Sequence, residues 1–594
     1  MKENKSYIKK KRGAYKIAYL YPIILIVAIL PFIMRYHVYD TGLSNFTWYP
    51  PNTEHFDIFL YYKQIIYIIT SSVMLFCICF ELYKKKGKFK VTPLLIFLFM
   101  YGLLSLLSTI FSDYRSFGFT GVFDQFESIF VLLGYCITIF YTYIFITDLK
   151  HIEIIFKYLT ISILIMSLIG FTQIIGHNFL ATDIGMMTFL PDYVWSQREL
   201  FTFNFEKTVS LTLFNPNYVG TYAGLLLPIY VSLALTYKKN RHYLLIILSI
   251  LGLAICLKGS ESESGIIGIL TSVIFIIIFY RKYIFRHIVA IASFLLVLIL
   301  GFYLLIFAQP TNLLTRLIPQ KQTFALTDIK TEDILKITYK ENLLLVDYIF
   351  DNEDLQLFLY DEFYNPISFN YIDESMTFQI IDKRFHNMKI EPFLNDNKLY
   401  LNIYIDNNIW TFTKHSDNTY YYVNRYGKMD KIIEAPSSLF SGYEHFASKR
   451  GYIWSRTIPL LKDYIFLGSG ADTFVLAFPQ QDYVNLHNNG FSGKVLTKPH
   501  NMYLQTGVQT GVLSLLAFIL FYIIYFISSV RYYIKADLSN PLHMYGCAIF
   551  IGTISYMVIG LANDSSITVS PVFWALIGLG IAINNKIKSD LLVN

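Results

Sequence analysis

The amino-acid sequence predicts an α-helical polytopic membrane protein of about twelve transmembrane helices, with a β-rich extracytoplasmic insert between the ninth and tenth. Three observations carry this: an apolar, weakly charged composition, twelve long apolar runs, and basic loops that all fall on one side. Of 594 residues, 54% are hydrophobic, 18% aromatic and only 15% charged, and mean hydropathy is +0.45. Soluble chains are typically about 25% charged. The composition excludes a soluble enzyme, a disordered chain and a disulfide scaffold.

A helix needs roughly 20 mostly apolar residues to cross about 30 Å of hydrocarbon. Such runs lie near 17–34, 63–82, 92–111, 126–147, 152–175, 218–236, 243–257, 264–280, 288–308, 505–529, 542–562 and 570–585. The runs at 243–257 and 570–585 are short, so a re-entrant reading of either stays open. The basic clusters are Lys9 to Arg12, Lys84 to Lys90, Lys238 to His242, Arg281 to His287, Arg531 with Lys535, and Lys586 with Lys588. If every run crosses, all of these fall on the same side. The positive-inside rule then puts both termini in the cytoplasm and the large loop outside. The formal charge of +7 is therefore a topology signal and not one for nucleic acid. The N-terminal run is long, with no small-residue cleavage site after it, and reads as a retained helix. All five cysteines (Cys77, Cys79, Cys136, Cys256, Cys547) lie in apolar runs, and no His/Cys cluster has zinc spacing.

The expected organisation is residues 1–308 as helices one to nine, 309–499 as the outer region, and 500–594 as the last three helices. From about 330 to 435 the outer region alternates apolar and polar residues between Asn/Asp turns. Lys398 to Ile405, Ile409 to Thr413 and Tyr420 to Val423 are the clearest runs. Period-2 alternation with such turns describes an antiparallel β meander. Residues 311–450 carry a net charge of −5, leaving +12 on the rest of the chain.

Polar groups at the edge of membrane spans are functional candidates. Four outward stretches qualify, and each also admits a plain structural reading. Asn215-Pro216-Asn217 reads as a helix start, with Asn215 as cap and free N–H groups facing outward, where a phosphate can bind. Lys258-Gly259-Ser260-Glu261 is a tight polar turn. Arg450 and Trp454, one turn apart if helical, put a guanidinium fork beside an indole, with Arg456 following and a Gly468-Ser469-Gly470 turn beyond. Lys498-Pro499-His500-Asn501 runs through Gln505 directly into the tenth span, with His500 at its outer mouth.

In this order, these stretches resemble the O-antigen ligase/polymerase superfamily, bacterial membrane proteins that act on polyprenyl-diphosphate-linked glycans. The His500-Asn501-Met502-Tyr503-Leu504-Gln505 element is the most specific part, and Ser112 to Gly118 is similar to the family's short outer loop. Two features depart from the pattern. Glu261 stands where a cation is usual, and the insert before Arg450 is long. The resemblance implies a GT-C-like helical fold in the bacterial cytoplasmic membrane. It implies an undecaprenyl-diphosphate glycan as donor, a glycan, lipid or protein acceptor, and neither metal nor other cofactor. His500 would act as general base, with inversion at the anomeric carbon. Arg450 is the first candidate for neutralising the diphosphate, with Arg198, Lys207, Arg456 and Lys498 behind it. Asn215, Asn217, Trp454, Asn501, Gln505 and Lys258 would contact substrate. Ligase and polymerase both remain open. A metal-dependent transferase would draw on Asp40, Glu54 and Asp57, which are scattered. A transporter would show charges within spans or an internal repeat.

Overall fold

The computed structural model describes residues 17–85, 91–201, 208–236, 241–284, 321–351 and 354–593. Eleven of the twelve apolar runs coincide with helices; the ninth, 288–308, lies outside the described residues. The helices are α1 (Tyr21–Phe32), α2 (Tyr61–Lys84), α3 (Pro93–Ile110), α4 (Ile129–Phe145), α5 (Leu149–Ile174), α6 (Pro216–Thr236), α7 (Arg241–Ser260) and α8 (Glu263–Ile284). After the β region come α9 (Phe446–Leu460), α10 (Met502–Thr510), α11 (Val512–Tyr533), α12 (Pro541–Ile559) and α13 (Ser570–Val593). Among the described residues, eight of these are long and apolar enough to cross a membrane, and α1 and α4 are shorter apolar helices.

One predicted span differs. The run at 505–529 is broken at Gly511, whose φ of 97° is open to glycine at little steric cost. The break leaves α10 as a separate short helix before α11. The amides of Val512 and Leu513 turn back to the carbonyls of Tyr464 and Ile465. Hydropathy passes through the break without interruption, because Gly511 changes the backbone and not the polarity.

Helices α6 and α12 form the centre of the helical core and bury most of their length. Gly220 lets the α7–α8 turn come close to α6, since a Cβ there would sit 2.1 Å from Ser262 Oγ. This end of the bundle therefore closes on the turn that leads into α8.

The β region follows the alternation in the sequence. Strands β3 (Leu326–Thr331), β4 (Leu335–Tyr339), β5 (Asn342–Asp351) and β6 (Asp354–Tyr360) form one antiparallel sheet. A seven-stranded antiparallel meander runs β7 (Phe369–Ile372), β8 (Thr377–Ile380), β9 (Lys389–Asn395), β10 (Lys398–Ile405), β11 (Asn408–Lys414), β12 (Tyr420–Val423) and β13 (Met429–Asp430). Every second residue of β10 is buried, and one core cluster draws on both sheets. Strands β1 (His37–Asp40) and β2 (Glu54–Asp57) make a hairpin in the first outer loop. That loop is fastened to the meander. Thr47 Oγ1 donates to Asp430 at 2.6 Å, Asn424 Nδ2 to the Thr47 carbonyl at 2.9 Å, and Lys428 Nζ to the Ser44 and Phe46 carbonyls.

Candidate active site

The loop 562–566 between α12 and α13 organises one end of the helical bundle. Asn563 Nδ2 donates to Thr221 Oγ1 on α6 at 2.9 Å and to Ser264 Oγ on α8 at 2.8 Å. The Ser565 amide donates to Gln505 Oε1 at 2.8 Å, and Ser565 Oγ to Glu127 Oε1 at 2.8 Å. Asp564 is thereby held between two anchored neighbours, 5% exposed.

The opposite wall is the start of α10. Asn501 caps it, its Oδ1 accepting from the Tyr503 and Leu504 amides, while its Nδ2 donates to the Leu561 carbonyl. The Met502 amide donates to the Gly560 carbonyl. Trp454 Nε1 donates to the Pro499 carbonyl at 2.9 Å and fixes the residue before His500. His500 has φ 53°, a left-handed conformation uncommon outside glycine but one in which Asn, Asp and His are enriched.

These constraints bring His500 Nδ1 to 2.9 Å from Asp564 Oδ2. A contact between a ring nitrogen and a carboxylate needs a proton, so Nδ1–H donates, and in the neutral ring Nε2 carries the lone pair. Nε2 has no hydrogen-bond partner among the described residues, and the ring is one-third exposed. A base held by a carboxylate with its other nitrogen open is the arrangement of general-base sites.

Two cations act on the same carboxylate. Burial raises the Asp564 carboxyl, but His500, Lys498 and Arg450 outweigh it and hold it below the ordinary carboxylate range. Lys498 is 8% exposed; its Nζ donates to Tyr218 Oη at 3.1 Å and to the Asp124 carbonyl at 3.2 Å. Burial opposes its charge, yet Tyr218, Asp124 and Asp564 prevail and keep it protonated. An ammonium has three N–H donors, so one remains. Arg450 makes no hydrogen bond or ion pair among the described residues. Burial pulls its pKa down, and the charges of Asp564 and Glu263 oppose this. Residues 447–449 all take left-handed backbone angles, so regular helix begins only at Arg450.

Other expected site residues take different places. Arg456 is not available to a diphosphate: it is buried, with Nη1 3.1 Å from Glu444 and Nε 3.4 Å from Asp482. Breaking a buried ion pair leaves an uncompensated charge and costs about 3–5 kcal/mol. Arg456→Ala is expected to lower the thermal midpoint of the purified protein far more than Lys449→Ala. Trp454 is a clamp on Pro499 rather than a sugar platform, and Asn501 is a helix cap. Gln505 ties Glu127 to Ser565 and thus positions Asp564. Asn215 does cap α6, with Oδ1 2.8 Å from the Asn217 amide. However, the Tyr218 and Val219 amides donate back to the Asn215 carbonyl, so these N–H groups do not face outward for a phosphate. Asn217 instead offers its carbonyl to Thr221 and Asn563. Arg198 pairs with Asp183 at 3.3 Å. Lys258 is exposed at the end of α7, and Lys207 lies outside the described residues. The Gly468–Gly470 turn is a joint: the Gly468 amide donates to Ser108 Oγ and the Gly470 amide to the Gln509 carbonyl. Asp57 caps α2 through the Leu60 and Tyr61 amides, and Asp40 accepts from the Gly42 amide. Among the described residues no group of three or more His, Cys, Asp or Glu has metal-binding geometry.

Asp564 was not among the residues singled out from sequence. Its signal was faint: one carboxylate in a four-residue polar loop, Asn563 to Ser566, between two apolar runs.

Residues 412–519 match the family model described as O-antigen ligase. This segment is similar to O-antigen ligase domains, and the match supports the resemblance to the O-antigen ligase/polymerase superfamily that the motifs suggested. The O-antigen ligase match covers Arg450, Trp454, Arg456, Lys498, His500, Asn501 and Gln505, and stops before Asp564. No curated protein and no solved structure matches the chain.

Proposed function

We propose that the protein transfers a glycan from undecaprenyl diphosphate to an acceptor hydroxyl at the outer face of a bacterial cytoplasmic membrane, with inversion. The observation that carries this reading is the His500–Asp564 pair. It leaves Nε2 open, with Lys498 and Arg450 within electrostatic reach of the carboxylate. The O-antigen ligase match supports the class of reaction.

His500 Nε2 takes the proton of the acceptor hydroxyl as its oxygen attacks the anomeric carbon. The bond from that carbon to the diphosphate oxygen breaks, and the electron pair leaves on the lipid diphosphate. Asp564 steadies the imidazolium that forms. The spare N–H of Lys498 and the Arg450 guanidinium neutralise the leaving group, where fixed charges in a dry site act most strongly. Both termini lie inside and the β region outside in this reading, as the basic loops require.

The test is an assay of purified protein with undecaprenyl-diphosphate glycan, with and without candidate acceptors. Product on a separate acceptor marks a ligase; a longer lipid-linked glycan marks a polymerase. Hydrogen bonds to charged groups contribute about 1.5–3 kcal/mol, so Arg450→Ala is expected to raise the donor KM roughly 10–100-fold. Unaltered donor binding in that variant would remove Arg450 from the diphosphate site, and no transfer by wild type with any acceptor would overturn the reading.

A further inference from the structure

A cleft of about 360 Å³ lies where the first outer loop, the β meander and the segment 480–495 meet. Its size falls within the range of about 300–1,000 Å³ usual for small-molecule sites. Aromatic side chains dominate the lining: Trp48 from the first outer loop, Trp410, Tyr422 and Tyr426 from the meander, and Tyr483 and His487 beyond it. Part of this set packs upon itself, with Trp410 5.5 Å from Tyr422 and 5.4 Å from His487 between ring centroids. Trp48 and Tyr426 are half-buried, and Trp48 packs on Phe46 and Tyr49 with ring centroids 5.1 and 6.0 Å away. Trp410 is 3% exposed, yet its Nε1–H has no acceptor among the described residues. Buried donors are rarely left without a partner. The rim adds Arg425 and Lys494, and the lining includes no carboxylate.

We propose that this cleft binds an oligosaccharide segment of the glycan. Flat aromatic faces match the apolar C–H faces of pyranose rings, and the rim cations and the indole N–H supply donors to sugar oxygens. A lining without carboxylates leaves acidic sugars unrepelled. Position supports the same occupant. Val495 lines the cleft, five positions before His500. At 3.3–3.6 Å per residue their Cα atoms are at most about 18 Å apart, a distance a short oligosaccharide spans. One chain can thus occupy the cleft while its end lies at His500. The inference rests on the glycan-transfer reading only for the identity of its ligand.

The experiment reads binding without turnover. The probe is the lipid-free oligosaccharide released by mild acid from the producing cell's own lipid-linked glycans. Full-length protein in nanodiscs is titrated, and its tryptophan fluorescence is followed, since two of its five tryptophans line the cleft. Saturable binding is expected, weakened roughly tenfold by Trp48→Ala, in keeping with the loss of one aromatic contact of about 1.5 kcal/mol. Binding to that variant is followed calorimetrically. Arg425→Ala, on the exposed rim, is expected to weaken it roughly fivefold and keeps the test open if Trp48→Ala fails to fold. Absence of binding by wild type, or equal binding by both variants, would overturn the cleft assignment whether or not transfer is observed. Intact binding by a wild-type protein that performs no transfer would count against the glycan-transfer reading while supporting the cleft.

Discussion

His500→Ala is expected to lower the rate of glycan transfer by about 10²–10⁴-fold, the range that a positioned general base contributes. The loss should fall on kcat, because in the proposed mechanism the ring acts on the reacting hydroxyl and not on the lipid diphosphate. Alanine is strained at this left-handed φ and leaves the buried Asp564 without its donor, so a lower thermal midpoint is expected. His500→Asn suits the backbone and can still donate to Asp564, and it is expected to lose transfer with a smaller loss of stability. A purified His500→Ala protein that transfers glycan at the wild-type rate would eliminate the general-base role.

The second large effect is expected from Asp564→Asn. An amide at this position no longer stabilises the imidazolium, and it can present an N–H to Nδ1 and turn the ring to the wrong tautomer. Transfer is expected to fall about 10²–10³-fold. The same substitution should alter acid stability. The Asp564 carboxyl lies below its ordinary range in the folded protein. A depressed pKa contributes stability above the unfolded value of about 3.9, and that contribution is lost as pH falls through the folded value. The acid limb of the wild-type stability curve below about pH 4 should therefore be steeper than that of Asp564→Asn. Parallel acid limbs together with undiminished transfer would show that the pair has no catalytic part. Rescue of the rate by Asp564→Glu would mark it as a positioning carboxylate.

The architecture was largely legible because its signals are local. Twenty-residue apolar runs and period-2 alternation survive without any tertiary information, which is why the helices and the meander appear close to where the sequence puts them. His500 was legible because a polar residue at the mouth of a span is unusual. Three features were not. Gly511 breaks an apolar run through the sign of a dihedral angle, and hydropathy carries no such sign. Arg456 and Arg450 are chemically the same in sequence; only packing shows that one faces Glu444 and Asp482 while the other has no direct partner among the described residues. Asp564 lies 64 residues from the histidine it orients, and nothing in a short polar loop announces so distant a partner.

The bonds between the first outer loop and the meander have a consequence for biosynthesis. Thr47 and Asn424 are 377 residues apart. At about 5–20 residues per second, the first loop emerges roughly 20–75 s before the strand that receives it. Through that interval Thr47 lacks both of its partners in the meander, whereas Phe46 beside it can already pack on Tyr114. The joint between the two is therefore completed late, when the meander arrives.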